Sequence, residues 1–297
     1  MTAGRMDRRK ITAAVWDVLA HILPSKWFIS LKYWVIYHKW INWKDPKAFT
    51  EKLQWMKLYA FRPEYVEMVD KVKVKEYIRK KLGDEYVIPL LGVWKSEKDI
   101  DFDTLPDRFA LKCNHDSGTI VVCSDKSALD KERTRKILGK ALRTNYYLTG
   151  REKPYKYVER RIFAEQFLQN EGINELLDYK FFCFDGVPRI TKIDYGRAVA
   201  HHANYYDMDM NLLPFGVVTS HPTDRVFTKP DNFGEMVDIA KKLSAGIPFV
   251  RVDLYDVGGK IYFGELTFYP TSGFNPFTDY NWDLRLGEML KLPPKNK

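Results

Sequence analysis

Residues 249–267 read FVRVDLYDVGGKIYFGELT, two runs of branched and aromatic residues on either side of a glycine pair. Branched and aromatic residues favour β-strands, and the central Asp-Val-Gly-Gly-Lys segment favours a tight turn, so this stretch predicts a β-hairpin. Because side chains alternate along a strand, Arg251, Asp253 and Tyr255 share one face of the first strand. We expect a three-residue loop, Gly258 to Lys260, to join the two strands.

The predicted hairpin brings two carboxylates face to face. A three-residue loop places Asp253 directly opposite Glu265, and alternation puts Thr267, Ile261 and Phe263 on the same face as Glu265. Two like charges that face each other across a hairpin destabilise it, and a cation between them removes the repulsion. Carboxylate oxygens are hard ligands of the kind that Mg²⁺ prefers. The hairpin therefore predicts a site for a magnesium–phosphate ligand.

The composition predicts a large core in a reducing compartment. Hydrophobic residues make up 45% and aromatic residues 15% of the 297 residues, enough for one composite domain or two. The cysteines, Cys113, Cys123 and Cys183, lack metal-ligand spacing, and their odd number leaves no complete disulfide framework, so we expect a cytoplasmic protein. No apolar run approaches the roughly 18 residues of a transmembrane helix, and the basic start does not continue as a signal peptide, so neither is expected.

Positive charge is concentrated at the start of the chain. The net charge is +9, and residues 1–60 hold eleven Lys and Arg residues against four acids, together with six of the eight tryptophans. This composition fits a helical layer packed on the main domain, a segment that rests on an anionic membrane surface, or a nucleic-acid groove. The packed layer is favoured and the groove is weakest. We expect no nucleic-acid partner and retain a peripheral position at the inner face of the plasma membrane as a hypothesis.

Apolar periodicity predicts helices and short strands in mixed order. Helices are predicted over residues 11–22, 27–43, 47–59, 64–82, 126–144, 232–244 and 282–291. Strands are predicted over residues 86–94, 109–112, 119–123, 162–168, 177–184 and 189–195, in addition to the hairpin. Strands in hairpins with helices between them favour α+β layers over a parallel doubly wound sheet.

A lysine at the end of a predicted strand precedes a small polar loop. Lys112 is followed after one residue by a loop of Asn114, His115, Asp116, Ser117, Gly118 and Thr119. Backbone N–H groups of such a loop can surround phosphate oxygens, and the lysine ammonium adds positive charge. The chain has no G-x-x-x-x-G-K-[ST] motif, so this is not a Walker A loop. A hairpin turn with a surface lysine is the alternative interpretation.

Two charged residues interrupt apolar strands further along the chain. Glu165 lies within residues 162–168, and Lys180 lies within residues 177–184. A charged residue inside an apolar strand is unfavourable unless it has a partner. An adenine amino group would be a partner for Glu165, and a phosphate would be one for Lys180. An edge strand with a solvated acid is the alternative.

The order of these elements is more specific than any one of them. Over about residues 40–290 the sequence resembles the TupA-like (teichuronopeptide-biosynthesis) family of the ATP-grasp superfamily. Four stretches carry the resemblance: Pro46–Trp55, Leu111–Gly118, Leu177–Phe184 and Phe249–Tyr255. It implies an ATP-grasp fold of the α+β class, with two α+β subdomains that close on ATP after an N-terminal helical segment. The implied boundaries are 1–60 for this basic, tryptophan-rich segment, 61–160 for the first subdomain and 161–297 for the second.

The resemblance also implies a nucleotide site built from both subdomains. Its ligand would be ATP, whose phosphates would contact Lys112 and Lys180 and lie under the loop from Asn114 to Thr119. Adenine would contact the Glu165 side chain and the backbone of the three residues that follow it: Gln166, Phe167 and Leu168.

The resemblance implies that Asp253 and Glu265 hold Mg²⁺. Thr267 stands two residues after Glu265, where many ATP-grasp enzymes have an asparagine, and its hydroxyl would supply one oxygen. Arg251 would stabilise the acyl phosphate or the tetrahedral intermediate, so Arg251 and Lys112 are the predicted catalytic residues. Phosphoryl transfer requires that the phosphate charge be neutralised, and Mg²⁺ and the lysines would do so.

The implied activity is the ATP-dependent joining of a carboxylate to an amine in cell-surface polysaccharide biosynthesis. The expected substrates are a uronic acid, carried on a glycan, a nucleotide or a lipid, and an amino acid or another amine. Candidate acceptor-binding residues are basic or polar and lie in two stretches: Lys192, Asp194, Arg197, His201, His202, Ser272 and Gly273. Basic groups suit a uronic acid carboxylate, and surface charges on a hairpin are the alternative interpretation.

Other functions fit parts of the sequence. Asp207-Met208-Asp209 is a D-x-D motif that suits the metal site of a glycosyltransferase, although three residues match often by chance. An ATP-grasp sugar kinase would share the nucleotide site and differ only in its acceptor. A binding module with the basic, aromatic N-terminus as its interface leaves the facing Asp253 and Glu265 unexplained. The ATP-grasp ligase explains the most features and is the predicted function.

Overall fold

The computed structural model describes residues 8–169, 176–196, 201–220 and 222–295 of the chain. The helices in these ranges are α1 (Arg8–Ile22), α2 (Ser25–Tyr37), α3 (Phe49–Tyr59), α4 (Tyr65–Val69), α5 (Val74–Lys81), α6 (Lys131–Arg143), α7 (Tyr146–Gly150), α8 (Phe233–Ser244) and α9 (Tyr280–Met289). The strands are β1 (Leu90–Trp94), β2 (Phe109–Cys113), β3 (Ile120–Cys123), β4 (Ile162–Gln166), β5 (Asp178–Phe184), β6 (Val187–Tyr195), β7 (His202–Tyr206), β8 (Phe249–Val257) and β9 (Lys260–Thr267). None of the helices in these ranges combines the length and the apolar character needed to cross a membrane.

Two antiparallel sheets form the frame of the molecule. Strands β1, β4, β2 and β3 form a four-stranded sheet in that order, and β7, β6, β5, β8 and β9 form a five-stranded sheet. Every pair of these strands is antiparallel within the residues that the structure describes. The α+β class expected from the sequence is confirmed.

Helices cover both faces of the five-stranded sheet at one end. The amphipathic helix α8 packs Phe233 against Phe181 of β5, with ring centroids 5.6 Å apart. On the opposite face, Phe49 of α3 packs against Phe249 of β8, with ring centroids 4.9 Å apart. Burial of these large side chains from two sides gives the sheet its main core.

The sheet face under α3 changes from apolar to charged along the strands. On this face β5 carries Phe184, Phe182, Lys180 and Asp178, and β8 carries Phe249, Arg251, Asp253 and Tyr255. The register pairs Phe184 with Phe249 at the covered end and Lys180 with Asp253 at the other end. One face of two neighbouring strands therefore supplies both a core and a group of charged side chains.

The four-stranded sheet packs one face on α6 and leaves the other for polar groups. Leu138 of α6 is fully buried and lies in one cluster with Leu111 and Ile162. Lys112 and Glu165 alternate with these residues along β2 and β4, so they lie on the opposite face. The second sheet thus also presents charged residues on a single face.

The first two helices form a layer on the main domain. Phe28 and Tyr33 of α2 are buried, and the Tyr33 hydroxyl lies 3.0 Å from Thr50 Oγ1 of α3. Arg151 Nη2 donates to the carbonyl oxygen of Ala20 at 2.5 Å. The helix predicted over 27–43 ends earlier, at Tyr37, because His38 adopts a left-handed φ of 54°. One side of the N-terminal segment therefore packs on the domain, as the favoured interpretation expected.

Several predicted elements differ from the structure. The single helix predicted over 64–82 is wrong, because α4 and α5 are separated by a turn in which Asp70 Oδ1 accepts from the Val72 N–H at 2.9 Å. The sequence interpretation also missed the short helix α7 and the strand β7. The implied division at residue 160 stays a prediction. In the structure β4, which begins at Ile162, pairs within the four-stranded sheet.

Candidate active site

The predicted hairpin of β8 and β9 has a shorter loop than expected. Val257 pairs with Lys260, so the loop contains only Gly258 and Gly259, whose φ angles are 60° and 85°. Positive φ at both central residues matches the twist of a two-residue hairpin turn, and glycine adopts it without strain. The expected three-residue loop is therefore wrong.

A bulge restores the predicted pairing of the two carboxylates. The register skips Gly264, so that Asp253 pairs with Glu265. A Cβ on Gly264 would lie 3.0 Å from the carbonyl oxygen of Asp253, so this close approach favours a glycine. The bulge also leaves Phe263 and Ile261 on the face opposite to Glu265, and the shared face predicted for these three residues is wrong.

Arg251 lies between the two carboxylates. Its Nε and Nη2 atoms donate to the two carboxylate oxygens of Asp253 at 2.7 and 2.6 Å, and Nη2 also donates to Glu265 Oε1 at 2.9 Å. The same Nη2 lies 3.0 Å from the hydroxyl oxygen of Thr267. A bidentate guanidinium is thus the cation that offsets the facing charges in this structure.

Burial and charge act in opposite directions on the pKa values of these groups. Burial raises the pKa of Asp253 to about 6, against the charges of Arg251 and Lys180. Burial acts in the same direction on Glu265, but Arg251, Lys71 and Lys180 outweigh it and lower the pKa of Glu265 to about 2. Burial opposes the charge of Arg251, but Asp253 and Glu265 outweigh it and raise its pKa. Arg251 and Glu265 are therefore charged at neutral pH.

Lys180 connects carboxylates from three strands. Its Nζ donates to Asp178 Oδ2 at 2.5 Å and to Asp253, and it lies 3.6 Å from Asp194 Oδ2. These carboxylates lie on β5, β8 and β6, which are neighbours in the sheet. Buried charges are tolerated when each has a partner of opposite sign, and this network supplies such partners.

Asp194 holds two further basic groups at the edge of this network. Lys192 Nζ donates to Asp194 Oδ1 at 2.8 Å, and His201 Nε2 lies 2.9 Å from the same oxygen. Burial opposes ionisation, but His201, Lys192 and Lys180 outweigh it and hold the pKa of Asp194 well below its usual range. Burial lowers the pKa of Lys192. Asp194 therefore stays ionised and gathers three basic groups, Lys180, Lys192 and His201, at this side of the site.

The four-stranded sheet supplies a second charged group. The Glu165 carboxylate accepts from Lys75 Nζ at 3.0 Å and from Lys112 Nζ. Burial alone would raise the pKa of Glu165, but the charges of Lys112 and Lys75 outweigh it and lower the pKa. Lys75 also donates to the carbonyl oxygen of Ile88 at 2.8 Å, and burial lowers its pKa.

Lys71 and Lys75 are site residues that the sequence interpretation missed. Lys71 lies in the turn before α5 and donates to the carbonyl oxygen of Asp116, while Lys75 is buried on α5. Both belong to a lysine-rich stretch whose other lysines are exposed or half-buried, so composition did not separate them. The available signal was the position of Lys75 three residues before Ile78, on the apolar side of the helix.

The charged faces of the two sheets line a cavity of about 520 Å³. Small-molecule pockets commonly have volumes of about 300–1,000 Å³. Eleven of the predicted site residues line it: Lys112, Ser117, Gly118, Thr119, Glu165, Lys180, Asp194, His201, Arg251, Asp253 and Glu265. Apolar Val74, Ile88 and Phe163 line it as well. Such a combination suits a ligand with an apolar ring and several negative charges.

The first half of the predicted phosphate loop lies beneath the cavity. Asn114, His115 and Asp116 are buried, and Asn114 Nδ2 donates to Asp70 Oδ1 at 2.9 Å. Asn114 Oδ1 accepts from the Arg161 N–H at 2.7 Å. These bonds hold the loop in place from below, and only its second half, from Ser117 to Thr119, lines the cavity.

The residues after Glu165 turn away from this cavity. Gln166 lines a separate cavity of about 390 Å³. Phe167 lies under the guanidinium of Arg108, whose Cζ is 4.4 Å from the ring centroid. Leu168 is half-buried. The predicted adenine contact concerns the backbone of these residues and stays a prediction.

The predicted acceptor residues are divided among several positions. Lys192 and Gly273 line a narrow cavity of about 30 Å³ that Arg251 also lines. Ser272 Oγ accepts from the buried Lys57 Nζ at 3.0 Å. His202 begins β7, and its ring centroid is 5.7 Å from that of Tyr195. Arg197 lies outside the described residues.

The hairpin offers a donor set whose chemistry fits Mg²⁺. Asp253, Glu265 and Thr267 present oxygen atoms on paired residues of β8 and β9. Mg²⁺ sites at phosphates commonly use one or two carboxylates and complete the octahedron with water and phosphate oxygens. Within the described ranges, no group of three or more His, Cys, Asp and Glu residues has the arrangement of an all-protein metal site.

The D-x-D motif has a structural role in a turn. The Asp207 carboxylate accepts from the Asp209 N–H at 2.9 Å, from the Asn211 N–H at 2.8 Å and from Asn211 Nδ2 at 2.8 Å. An aspartate that bonds backbone N–H groups in this way stabilises a turn. Neither aspartate lines the 520 Å³ cavity, so the motif gives no support to a glycosyltransferase site.

Comparison with protein families assigns the chain to one family. The family model described as TupA-like ATPgrasp matches residues 51–291, which is more than half of the chain. The chain therefore belongs to the TupA-like ATP-grasp family, and the resemblance stated from the sequence is confirmed. No curated protein matches the chain.

Three solved structures match the chain at low sequence identity. A D-alanine–D-alanine ligase from Bacillus anthracis complexed with ATP has 15% identity and a TM-score of 0.41, over 75% of this chain and 63% of that chain. The ATP-grasp ligase PsnB with minimal precursor, Mg and ADP has 10% identity and a TM-score of 0.37, over 74% and 57% of the respective chains. N5-carboxyaminoimidazole synthase from Aspergillus clavatus has 11% identity and a TM-score of 0.38, over 68% and 44%. The chain spans less than two thirds of the length of each of these proteins.

Proposed function

We propose that the chain is an ATP-dependent carboxylate–amine ligase of cell-surface polysaccharide biosynthesis that works in the cytoplasm. The observation that carries the proposal is the cavity between the two sheets, where Arg251, Lys180 and Lys112 meet the facing Asp253 and Glu265. Several cations beside two carboxylates suit a triphosphate with its metal ion. Membership of the ATP-grasp family supports ATP as the nucleotide.

The two sheets would hold the nucleotide from opposite sides. Lys112 and Lys180 would bind its phosphates, and the loop from Ser117 to Thr119 would cover them with backbone N–H groups. In this structure Lys112 donates to Glu165, and a bound phosphate would compete for the same ammonium. Adenine would lie against Glu165 and the backbone that follows it.

The chemistry needs an activated carboxyl group, because a free carboxylate would have to expel oxide. In the first step a carboxylate oxygen of the acceptor attacks the γ-phosphorus of ATP, and the bond to the bridging oxygen breaks as ADP leaves. In the second step an amine attacks the acyl carbon, loses a proton and displaces phosphate. The products are an amide, ADP and phosphate.

The residues of the hairpin have distinct roles in this proposal. Asp253, Glu265 and Thr267 would hold Mg²⁺, which supplies neutralisation of phosphate charge. Arg251 would stabilise the negative oxygen that forms when the amine attacks the acyl carbon. One such electrostatic contact contributes about 3–4 kcal/mol to lowering a barrier. The bonds of Arg251 to Asp253 hold its guanidinium in a fixed position for this role.

The proposed acceptor is a uronic acid on a glycan, nucleotide or lipid, and the proposed donor is an amino acid or another amine. The family resemblance supports this choice, and the basic groups around Asp194 agree with an anionic acceptor. Lys192 and His201 contact Asp194 beside the cavity and would attract a carboxylate.

The test incubates the full chain with ATP, Mg²⁺, a set of amino acids, and glucuronic acid in free and UDP-linked forms. We expect ADP, phosphate and an amide in equal amounts, with the amide identified by mass spectrometry. A stable phosphorylated sugar without an amide would identify a sugar kinase. Thermal protection by nucleotide sugars with Mn²⁺, and none by ATP with Mg²⁺, would favour a glycosyltransferase. Either result would overturn the ligase proposal.

A further inference from the structure

An apolar stripe on α2 is exposed to solvent. Trp27, Leu31, Trp34 and Val35 follow one another at spacings of four, three and one residues, which places them on one side of a helix. The exposed fractions of Trp27, Trp34 and Val35 are 68%, 42% and 43%. Large exposed apolar surfaces of this kind commonly mark an interaction site.

The stripe is not the packing face of α2. Ile29 and Tyr33 lie on the other side of the helix, and together with Phe28 they are buried in a cluster with α1. Tyr33 also contacts Thr50 of α3 through its hydroxyl. The helix has therefore already buried one apolar face within the molecule, and the exposed stripe is a second apolar face.

The stripe continues beyond the end of α2. Trp40 has an exposed fraction of 61%, and its ring stacks on that of Trp34 with centroids 5.7 Å apart. We refer to the set Trp27, Leu31, Trp34, Val35 and Trp40 as the tryptophan ribbon. Helix α1 adds a further exposed row at spacings of three and four residues: Val15, Val18 and Ile22. The N-terminal layer thus exposes apolar side chains on both of its helices.

Exposed lysines accompany the tryptophan ribbon in the sequence. Lys26, Lys39 and Lys44 are exposed, and Lys26 Nζ lies 5.7 Å from the ring centroid of Trp43. Lys47 is also exposed, although Asp45 pairs with it at 2.9 Å. Residues 1–60 as a whole carry eleven basic residues against four acids. A surface that binds this layer should therefore offer an apolar region to the tryptophan ribbon and negatively charged groups to the lysines.

We propose that the tryptophan ribbon docks on an anionic lipid surface, with α2 lying in the plane of the membrane. Tryptophan rings favour the boundary between headgroups and acyl chains, and lysines beside them attract anionic headgroups. The arrangement is that of a helix that lies on a membrane, since α2 is only 13 residues long. This surface is separate from the cavity and does not depend on the ligase proposal.

A second copy of the chain fits the ribbon less well. In a two-fold symmetric interface the same patch meets itself, so association would bring together two N-terminal segments that both carry an excess of basic residues. Like charges at an interface oppose association. Charge complementarity therefore favours an anionic lipid surface over self-association.

The first experiment measures binding of the full chain to vesicles by co-sedimentation. We expect partition onto phosphatidylcholine vesicles with about 30% phosphatidylglycerol to exceed that onto pure phosphatidylcholine by at least about tenfold, and to fall as salt rises. The combined variant Trp27→Ser, Trp34→Ser, Trp40→Ser should lose at least about tenfold of this partition. The matched control is Val122→Ser with Val226→Ser, whose exposed fractions of 53% and 69% are similar but which lie elsewhere.

A second pair of variants tests the charge. Lys26→Gln with Lys44→Gln should weaken binding to the anionic vesicles, while Lys98→Gln with Lys140→Gln removes the same charge from exposed positions outside the N-terminal layer. We expect the second variant to bind as the unchanged chain does. Equal losses in both variants would mean that net charge alone drives binding and would overturn docking through the ribbon.

Two controls make the outcome decisive. Far-UV circular dichroism and thermal unfolding establish that each variant is folded. The shift of the unfolding midpoint with ATP and Mg²⁺ measures nucleotide binding in the cavity, independently of vesicle binding. Unchanged vesicle binding of the folded tryptophan variant would overturn the proposal, and so would absence of binding by the unchanged chain. A dimer in light scattering that disappears in the tryptophan variant would assign the ribbon to a second copy instead, and ribbon-dependent RNA binding without vesicle binding would assign it to nucleic acid.

Discussion

Glu265 is the hairpin carboxylate that reaches the cavity. About a third of its side chain, 34%, is exposed, whereas only 1% of the Asp253 side chain is exposed. Glu265 Oε1 accepts from Arg251 and from the Thr267 hydroxyl, and these contacts hold the second oxygen in a defined orientation. At the scale of single residues, the two facing carboxylates thus have different surroundings. In this structure Arg251 and Lys180 occupy the oxygens of Asp253, so a metal ion would have to displace one of these contacts there, and Glu265 is the better placed of the two to meet a ligand.

This difference predicts the effect of Glu265→Gln. The amide keeps the shape and an acceptor oxygen but loses the negative charge, so we expect turnover of ATP to fall by at least about 100-fold. Because Arg251 contacts this charge, the midpoint of thermal unfolding should also fall, so turnover is compared at a temperature at which both proteins are folded. The measurement is steady-state release of ADP, with Glu235→Gln on α8 as the control, since Glu235 accepts from the Tyr86 hydroxyl at an exposed position. Full activity of Glu265→Gln would contradict the metal assignment.

Asp283 gives a second prediction at this scale, on stability and pH. Its carboxylate accepts from the Thr50 N–H at 2.9 Å and from the Thr50 hydroxyl at 2.6 Å, and burial raises its pKa from 3.8 to about 6. The folded chain therefore binds more protons than the unfolded chain between these two values. The contribution of Asp283 to stability is complete below pH 3.8 and is lost as the pH rises through about 6.

The variant Asp283→Asn isolates the pH-dependent contribution of Asp283 to the free energy of unfolding. The free energy of unfolding of the unchanged chain, minus that of the variant, should fall by up to about 3 kcal/mol between pH 4 and pH 7. Other titrating groups contribute equally to both proteins and cancel in the difference. Urea unfolding at several pH values provides the measurement. A difference that is constant over this range, or that rises with pH, would show that Asp283 is ionised throughout.

At the scale of elements, α3 and α9 cross at a glycine. A Cβ on Gly287 would lie 2.0 Å from the carbonyl oxygen of Lys47 and 2.9 Å from the amide nitrogen of Phe49, both backbone atoms. Gly287→Ala should therefore force the helix apart from the start of α3 and destabilise the fold by about 1–3 kcal/mol. Gly234 of α8 is the matched control, because a Cβ there meets nothing within 4 Å.

The two glycine variants should move stability in opposite directions. Gly234→Ala replaces a flexible helical residue at an open position and should stabilise the chain by about 0.5–1 kcal/mol. Denaturant unfolding of both variants gives the two values. If Gly287→Ala stabilised the chain as Gly234→Ala does, the close contact of Gly287 with the backbone at the start of α3 would be contradicted.

The hairpin shows how far the sequence determines an element. Its strands, its turn and the pairing of Asp253 with Glu265 were all predictable from alternation and glycine content. The extra residue that sets this pairing lies at Gly264, in a bulge, and not in the loop. A bulge depends on the close approach of the Asp253 carbonyl and the Tyr255 ring, and only the folded strands define that approach. The pairing beyond the bulge was therefore predictable, but the register between the bulge and the turn, which places Ile261 and Phe263 on the other face, was not.

At the scale of the whole molecule, the site belongs to neither sheet alone. Single-strand patterns drew attention to Lys112, Glu165 and Lys180, which line the cavity, because a charge in an apolar strand stands out in the sequence. They were insufficient for Lys75, which lies among other lysines in the sequence and is buried in the fold, where it donates to Glu165 of β4 and to the carbonyl oxygen of Ile88. The cavity arises where the two charged faces meet, and that juxtaposition is a property of the tertiary fold.

The last prediction follows from this shared construction. A ligand that binds only the folded state raises stability by about 2.7 kcal/mol at a concentration 100 times its dissociation constant, so ATP with Mg²⁺ should raise the midpoint of thermal unfolding. Lys112→Gln changes the four-stranded sheet and Lys180→Gln changes the five-stranded sheet, and each should reduce this increase by at least about half. Lys242→Gln, at an exposed position on α8, should leave it unchanged. The quantity compared is the ligand-induced increase within each variant, because loss of Lys180 also leaves Asp178 and Asp253 without a cation that both contact. An increase that only one of the two cavity variants reduces would mean that the nucleotide is held by a single sheet.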